Sequence, residues 1–172
     1  MAGTLTPPLD DSDHVLGPRD AELELVMYAD FQCPYCHAAQ PVVRKLRAEL
    51  GERLLYAFRH LPLRGRHPMA ESAAEASEAA GAQGQFWAYH DGLYAKQPKL
   101  GPELYTELAV ELALDAARLD EELREGRWRE RVERDYEAGL ASGADGTPAF
   151  FVNGQLHAGR SDFESLVGAL TA

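Results

Sequence analysis

Cysteine is nearly absent from this chain: its 172 residues include two, Cys33 and Cys36. A framework of structural disulfides is thereby excluded, because two cysteines close at most one bridge. Long apolar runs are missing as well, and none approaches the roughly 20 residues of a membrane-spanning helix. Positive charge is scarce. Lys and Arg number 17 against 28 Asp and Glu, a net charge of −11, which argues against nucleic acid or an anionic membrane surface as partner. Met1 to Pro18 has neither the basic segment nor the apolar stretch of a signal peptide. It reads as a flexible lead-in over 1–18. On that reading the protein is cytoplasmic, although a processed form of a periplasmic or otherwise extracytoplasmic protein would look the same. What remains has the apolar content of an ordinary globular protein and enough length for one core, or one core with a large insertion.

The two cysteines stand close together, as Cys33-Pro34-Tyr35-Cys36. Upstream lies the apolar run Leu23 to Tyr28, which reads as a buried central strand. Downstream, Val42, Val43, Leu46 and Leu50 recur at helical spacing. A cysteine pair opening a helix straight after a strand is the arrangement of a dithiol–disulfide redox site. The helix N-terminus carries partial positive charge and stabilises a thiolate, the form that attacks a disulfide. Zinc would need two further ligands. No other cysteine exists, and His14, His37, His60, His67, His90 and His157 contain no pair at ligand spacing. Cys33 to His37 also matches the Cys-x-x-Cys-His haem-attachment pattern, but nothing frames Met27 or Met69 as a distal ligand. Redox thiols are the favoured reading.

Along the chain, Pro34 to Leu50 reads as a helix kinked at Pro41, ended by Gly51. Leu54 to Leu61 is a second strand. From His67 to about Ser142 five helical patterns follow. Gly101-Pro102 opens the third, and Asp115 caps the fourth, which Gly126 stops. Strand character returns at Ala149 to Val152, with an Asn153-Gly154 turn and a second short strand to Ala158. Ser161-Asp162-Phe163-Glu164 reads as a capping box for a last helix. The order implies a mixed central sheet interrupted by a helical insertion. The expected bounds are 19–66 and 143–172 for the sheet domain and 67–142 for the insertion.

Two local strings then carry a family resemblance. Asp30-Phe31-Gln32-Cys33-Pro34-Tyr35-Cys36, and Gly146-Thr147-Pro148-Ala149-Phe150-Phe151-Val152-Asn153-Gly154, resemble the thioredoxin fold. The helical insertion makes the chain similar to the DsbA-type thiol–disulfide oxidoreductases. The resemblance implies an α/β thioredoxin-like fold and an enzyme in which Cys33 is the nucleophile and Cys36 resolves the mixed disulfide. Pro148 is then a cis-proline facing the disulfide, with the Thr147 backbone pairing to substrate. Pro34 and Tyr35 tune the sulfurs. DsbA has histidine where this chain has Tyr35, and Pro-Tyr instead matches glutaredoxins, so a milder oxidant is expected. Relatives commonly carry a buried glutamate at the position of Met27. Either water, Glu24 or another carboxylate such as Asp30 substitutes for it, or deprotonation of Cys36 is slower; Asp30 reads either as a surface loop acid or as one that influences the thiols. His37 reads as a solvated surface residue.

The resemblance implies no cofactor beyond the redox-active disulfide and no metal. Its partners would be protein or peptide thiols and disulfides plus a redox partner, for a monomer without membrane insertion. Two alternatives stand beside it: a glutathione-linked, glutaredoxin-like reductase, and a non-catalytic peptide-binding module of the same fold.

Overall fold

A computed structural model describes residues 3–172. Five strands form one sheet in the order β1-β3-β2-β4-β5. They are β1 (His14–Leu16), β2 (Leu23–Ala29), β3 (Leu54–His60), β4 (Ala149–Val152) and β5 (Gln155–Leu156). β2 and β3 run parallel, from Leu23 opposite Leu54 to Ala29 opposite His60. The crossover between them is α1 (Pro34–Leu50), which continues unbroken through Pro41. The other pairings are antiparallel. Alternation sends Val26, Tyr28, Ala57 and Phe151 to one face, where they pack with Leu5, Leu61 and Ala144. α7 (Phe163–Leu170) packs on β2 and β4 and against α1.

The five expected helices are present: α2 (Ala70–Ala82), α3 (Phe86–Ala95), α4 (Pro102–Glu111), α5 (Ala116–Glu125) and α6 (Arg129–Ala141). Their ends follow local chemistry. Pro102 is the first residue of α4, where its missing N–H costs nothing. Asp115 caps α5 by accepting from the Arg118 N–H at 3.0 Å, and Gly126 ends it in the left-handed region at φ 67°. The mixed sheet with a helical insertion is therefore the fold class expected from sequence.

The chain groups into two compact units. One comprises Met1–Ala29, Pro34–Leu61 and Asp135–Ala172; the other comprises Asp30–Cys33 and Pro62–Arg134. The second unit thus holds the short segment that ends at the first cysteine. Its helical part stops within α6, whereas sequence reading ran the insertion to 142.

Two expectations need correction. The lead-in is structured over much of its length. His14–Leu16 pairs with β3, Leu5 is buried, and its N–H donates to Gly154 O at 2.9 Å. Arg59 on β3 anchors part of this segment. Its guanidinium donates to both Asp13 carboxylate oxygens at 2.8 and 2.9 Å, to the Tyr28 hydroxyl at 3.0 Å, and to the carbonyls of Pro7 and Pro8. Burial alone would raise the Asp13 pKa; the hydrogen bonds from Arg59 and from the Asp10 N–H, with the charge of Arg59, outweigh it and hold the carboxyl below its usual range. The second correction concerns α7. Its cap is Asp162, which accepts from the Ser165 N–H at 2.9 Å, rather than Ser161.

Candidate active site

Cys33 is the residue immediately before α1, and Cys36 lies in the first turn of that helix. Pro34 occupies the first helical position, where φ is already fixed for the helix. The first-turn N–H groups of α1 have no partner within the helix, so they supply positive potential where Cys33 joins it. Both cysteines are buried. Tyr35, between them, is 73% exposed and His37 is exposed. Within α1 the Gln40 amide donates to Cys36 O at 2.9 Å.

The second sequence motif sits in the same compact unit as α1. The Thr147–Pro148 peptide bond is cis and directly precedes β4. Tyr35, Ala38 and Ala39 of α1 line a cavity of about 310 Å³ together with Thr147, Pro148 and Ser161. Residues more than a hundred positions apart in sequence therefore share one concave surface beside the Cys-x-x-Cys motif.

The loop before Cys33 is fixed by several contacts inside the helical unit. Asp30 is buried. Its carboxylate accepts from the Gln32 N–H at 2.7 Å and the Leu63 N–H at 2.8 Å, and meets His67 Nδ1 at 2.8 Å. Asp30 is thus a loop-building acid rather than a surface one. The Gln32 side chain accepts from the Met69 N–H at 2.7 Å. The Phe31 ring packs against His90 and Tyr94, with centroids 5.7 and 5.1 Å apart. The Gln97 amide donates to Phe31 O at 2.9 Å and Cys33 O at 3.0 Å.

Sequence reading missed Gln97. It carries no motif; only the proline after it, Pro98, marks a turn.

Met27 is fully buried on β2, and the Tyr56 hydroxyl approaches its sulfur at 3.4 Å. Strand alternation puts Glu24 on the opposite face from Met27. Burial pushes the Glu24 carboxyl up, partly countered by Arg59. The Asp30 carboxylate is committed to its loop. Among the described residues, no group of three or more His, Cys, Asp or Glu could hold a metal ion.

Comparison with known proteins adds three findings. A family model described as "Thioredoxin" matches residues 10–172. A Na(+)/H(+) antiporter NhaA 1 of Salinispora arenicola is 46% identical over 166 residues, covering 96% of this chain but 25% of that protein. The chain spans about a quarter of the length of the curated relatives it matches. Among solved structures, oxidised BdbD from Bacillus subtilis superposes with a TM-score of 0.84 at 23% identity, covering 99% of this chain and 98% of that one. A thioredoxin-like oxidoreductase from Silicibacter pomeroyi gives 0.82 at 25% identity, covering 94% and 92%.

Proposed function

The chain belongs to the thioredoxin family, with a fold of the DsbA type, and from that premise we propose that it exchanges a Cys33–Cys36 dithiol or disulfide with the disulfides or thiols of other proteins. The observation that carries this is the juxtaposition of three features. The Cys-x-x-Cys pair opens α1, the Thr147–Pro148 bond leads into β4, and Tyr35, between the two cysteines, lines one cavity with Thr147 and Pro148.

In the reducing direction, the Cys33 thiolate attacks one sulfur of a substrate disulfide. That S–S bond breaks, a Cys33–substrate disulfide forms, and the departing thiolate takes a proton. Cys36 then loses its proton and attacks the Cys33 sulfur, closing the Cys33–Cys36 disulfide and releasing the second substrate thiol. Two electrons pass from protein to substrate. Run backwards, the same steps donate a disulfide, and relative reduction potentials set the direction. The exposed Tyr35 ring and the Thr147 backbone favour a peptide as substrate, which can pair with the chain in β fashion.

The test is mixed-disulfide trapping in cells with Cys36→Ala. Without the resolving cysteine, partners stay bound through Cys33, and reductant releases them. Absence of any covalent adduct, with none restored by adding oxidised substrate, would count against the redox reading. The same experiment addresses partners.

A further inference from the structure

We propose that Gln97, in the turn Gln97–Lys99 that follows α3, is a positioning residue for the nucleophile Cys33; this rests on the disulfide-exchange reading above. A side-chain amide has two N–H donors on one nitrogen. Here that nitrogen donates to Phe31 O at 2.9 Å and to Cys33 O at 3.0 Å. The Cys33 N–H donates to Asp30 O at 3.1 Å. The nucleophile's backbone is therefore held on both sides of its Cα, at the N–H by the loop itself and at the carbonyl by Gln97.

Two consequences follow for the sulfur. Fixing the Cys33 carbonyl fixes the rotation of the residue about its Cα, and hence the direction of the Cα–Cβ bond that carries the sulfur. The carbonyl oxygen hangs from that same Cα, so its partial negative charge opposes a thiolate. An N–H donated to it offsets that charge.

The competing explanation is an ordinary staple that holds two segments together. Gln83 offers the direct contrast. Its amide donates to Asp115 O at 3.1 Å and accepts from the Asp115 N–H at 2.8 Å, tying down the start of α5 with no cysteine in the pair. Gln97 differs because one of its acceptors belongs to the reacting residue.

The test uses the full chain with Cys36→Ala, so that Cys33 alone reports. Its alkylation by iodoacetamide is followed from acid to alkaline pH, with a melting curve for each variant. Gln97→Met keeps the volume and removes both donors. The expected result is a folded protein whose alkylation near pH 6 slows about fivefold, which is about 1 kcal/mol, with the pH midpoint moved upward. Gln83→Met is expected to melt lower and to alkylate like the parent. A folded Gln97→Met with the parent's pH profile overturns the proposal, as does an equal slowing in Gln83→Met. Should Gln97→Met not fold, Gln97→Glu has nearly the same shape and no N–H donor when ionised, and a parent-like profile there overturns the proposal equally. A parent with both cysteines that fails to exchange disulfides, while Gln97→Met still shifts Cys33 alkylation, overturns the disulfide-exchange reading and leaves the positioning role standing.

Discussion

At the scale of the residue, Tyr35 is the side chain whose replacement should change the chemistry most and the fold least. It is 73% exposed, so a polar substitute costs little, within about 0.5 kcal/mol. Tyr35→His supplies an imidazolium able to hydrogen-bond a thiolate. A hydrogen bond to a charged group contributes about 1.5–3 kcal/mol, so the couple should become more oxidising by roughly 30–60 mV. Equilibration of the variant with glutathione buffers at a pH where the imidazole is protonated measures this, and an unchanged potential would remove tuning by this position. Cys33, Cys36, Thr147 and Pro148 stand out in sequence as candidates because each belongs to a short motif, and the structure places Cys36 in the first turn of α1 and the cis Thr147–Pro148 bond before β4. Gln97 and Asp30 do not stand out in this way. Both act on backbone groups, Gln97 from 64 and 66 positions away and Asp30 on Leu63, and nothing in a single sequence marks a lone glutamine as the partner of a distant carbonyl.

At the scale of the element, α4 and α5 were readable because their ends are chemical signals, Pro102, Asp115 and Gly126, that act within one turn. β1 was not readable. Three residues, His14–Leu16, carry too little pattern to announce a strand. Its order depends on the buried Asp13–Arg59 pair, which brings together segments 46 positions apart. Removing one partner of a buried pair leaves the other charge uncompensated, at a cost of about 3–5 kcal/mol. Asp13→Ala should therefore lower the melting temperature by about 10 °C. The pair also sets a pH dependence. The folded Asp13 pKa lies below its ordinary value of 3.8, so its contribution is fully present above that value. It is lost as pH falls through the lower folded pKa. Acid unfolding followed by circular dichroism should show this loss in the parent and not in Asp13→Ala. At the start of α5, Asp115→Ala removes one cap and should cost about 1 kcal/mol, a smaller loss in the same melting experiment.

At the scale of the molecule, the excess of 28 acidic over 17 basic side chains gives a negative field, and under the proposed function that field is expected to favour cationic disulfide substrates. Exchange with a cationic peptide disulfide should be faster than with an anionic one of equal length, and the difference should shrink as salt rises to 1 M, where the screening length falls to about 3 Å. Equal rates at low salt would show that the field does not select substrates. The interrupted architecture was legible because strand and helix periodicities change at the insertion. The grouping of Asp30–Cys33 with the helical unit was not, since it arises from tertiary contacts of Leu63, His67, Met69 and Gln97. Under the proposed function, Cys33 and Cys36 act as one two-electron couple. Its most direct test equilibrates the protein across glutathione redox buffers, quenches in acid, and counts alkylated thiols by mass. The expected result is the loss of both thiols together along a single two-electron curve. Thiols that stay reduced across the whole range, or that change independently of each other, would contradict the claim.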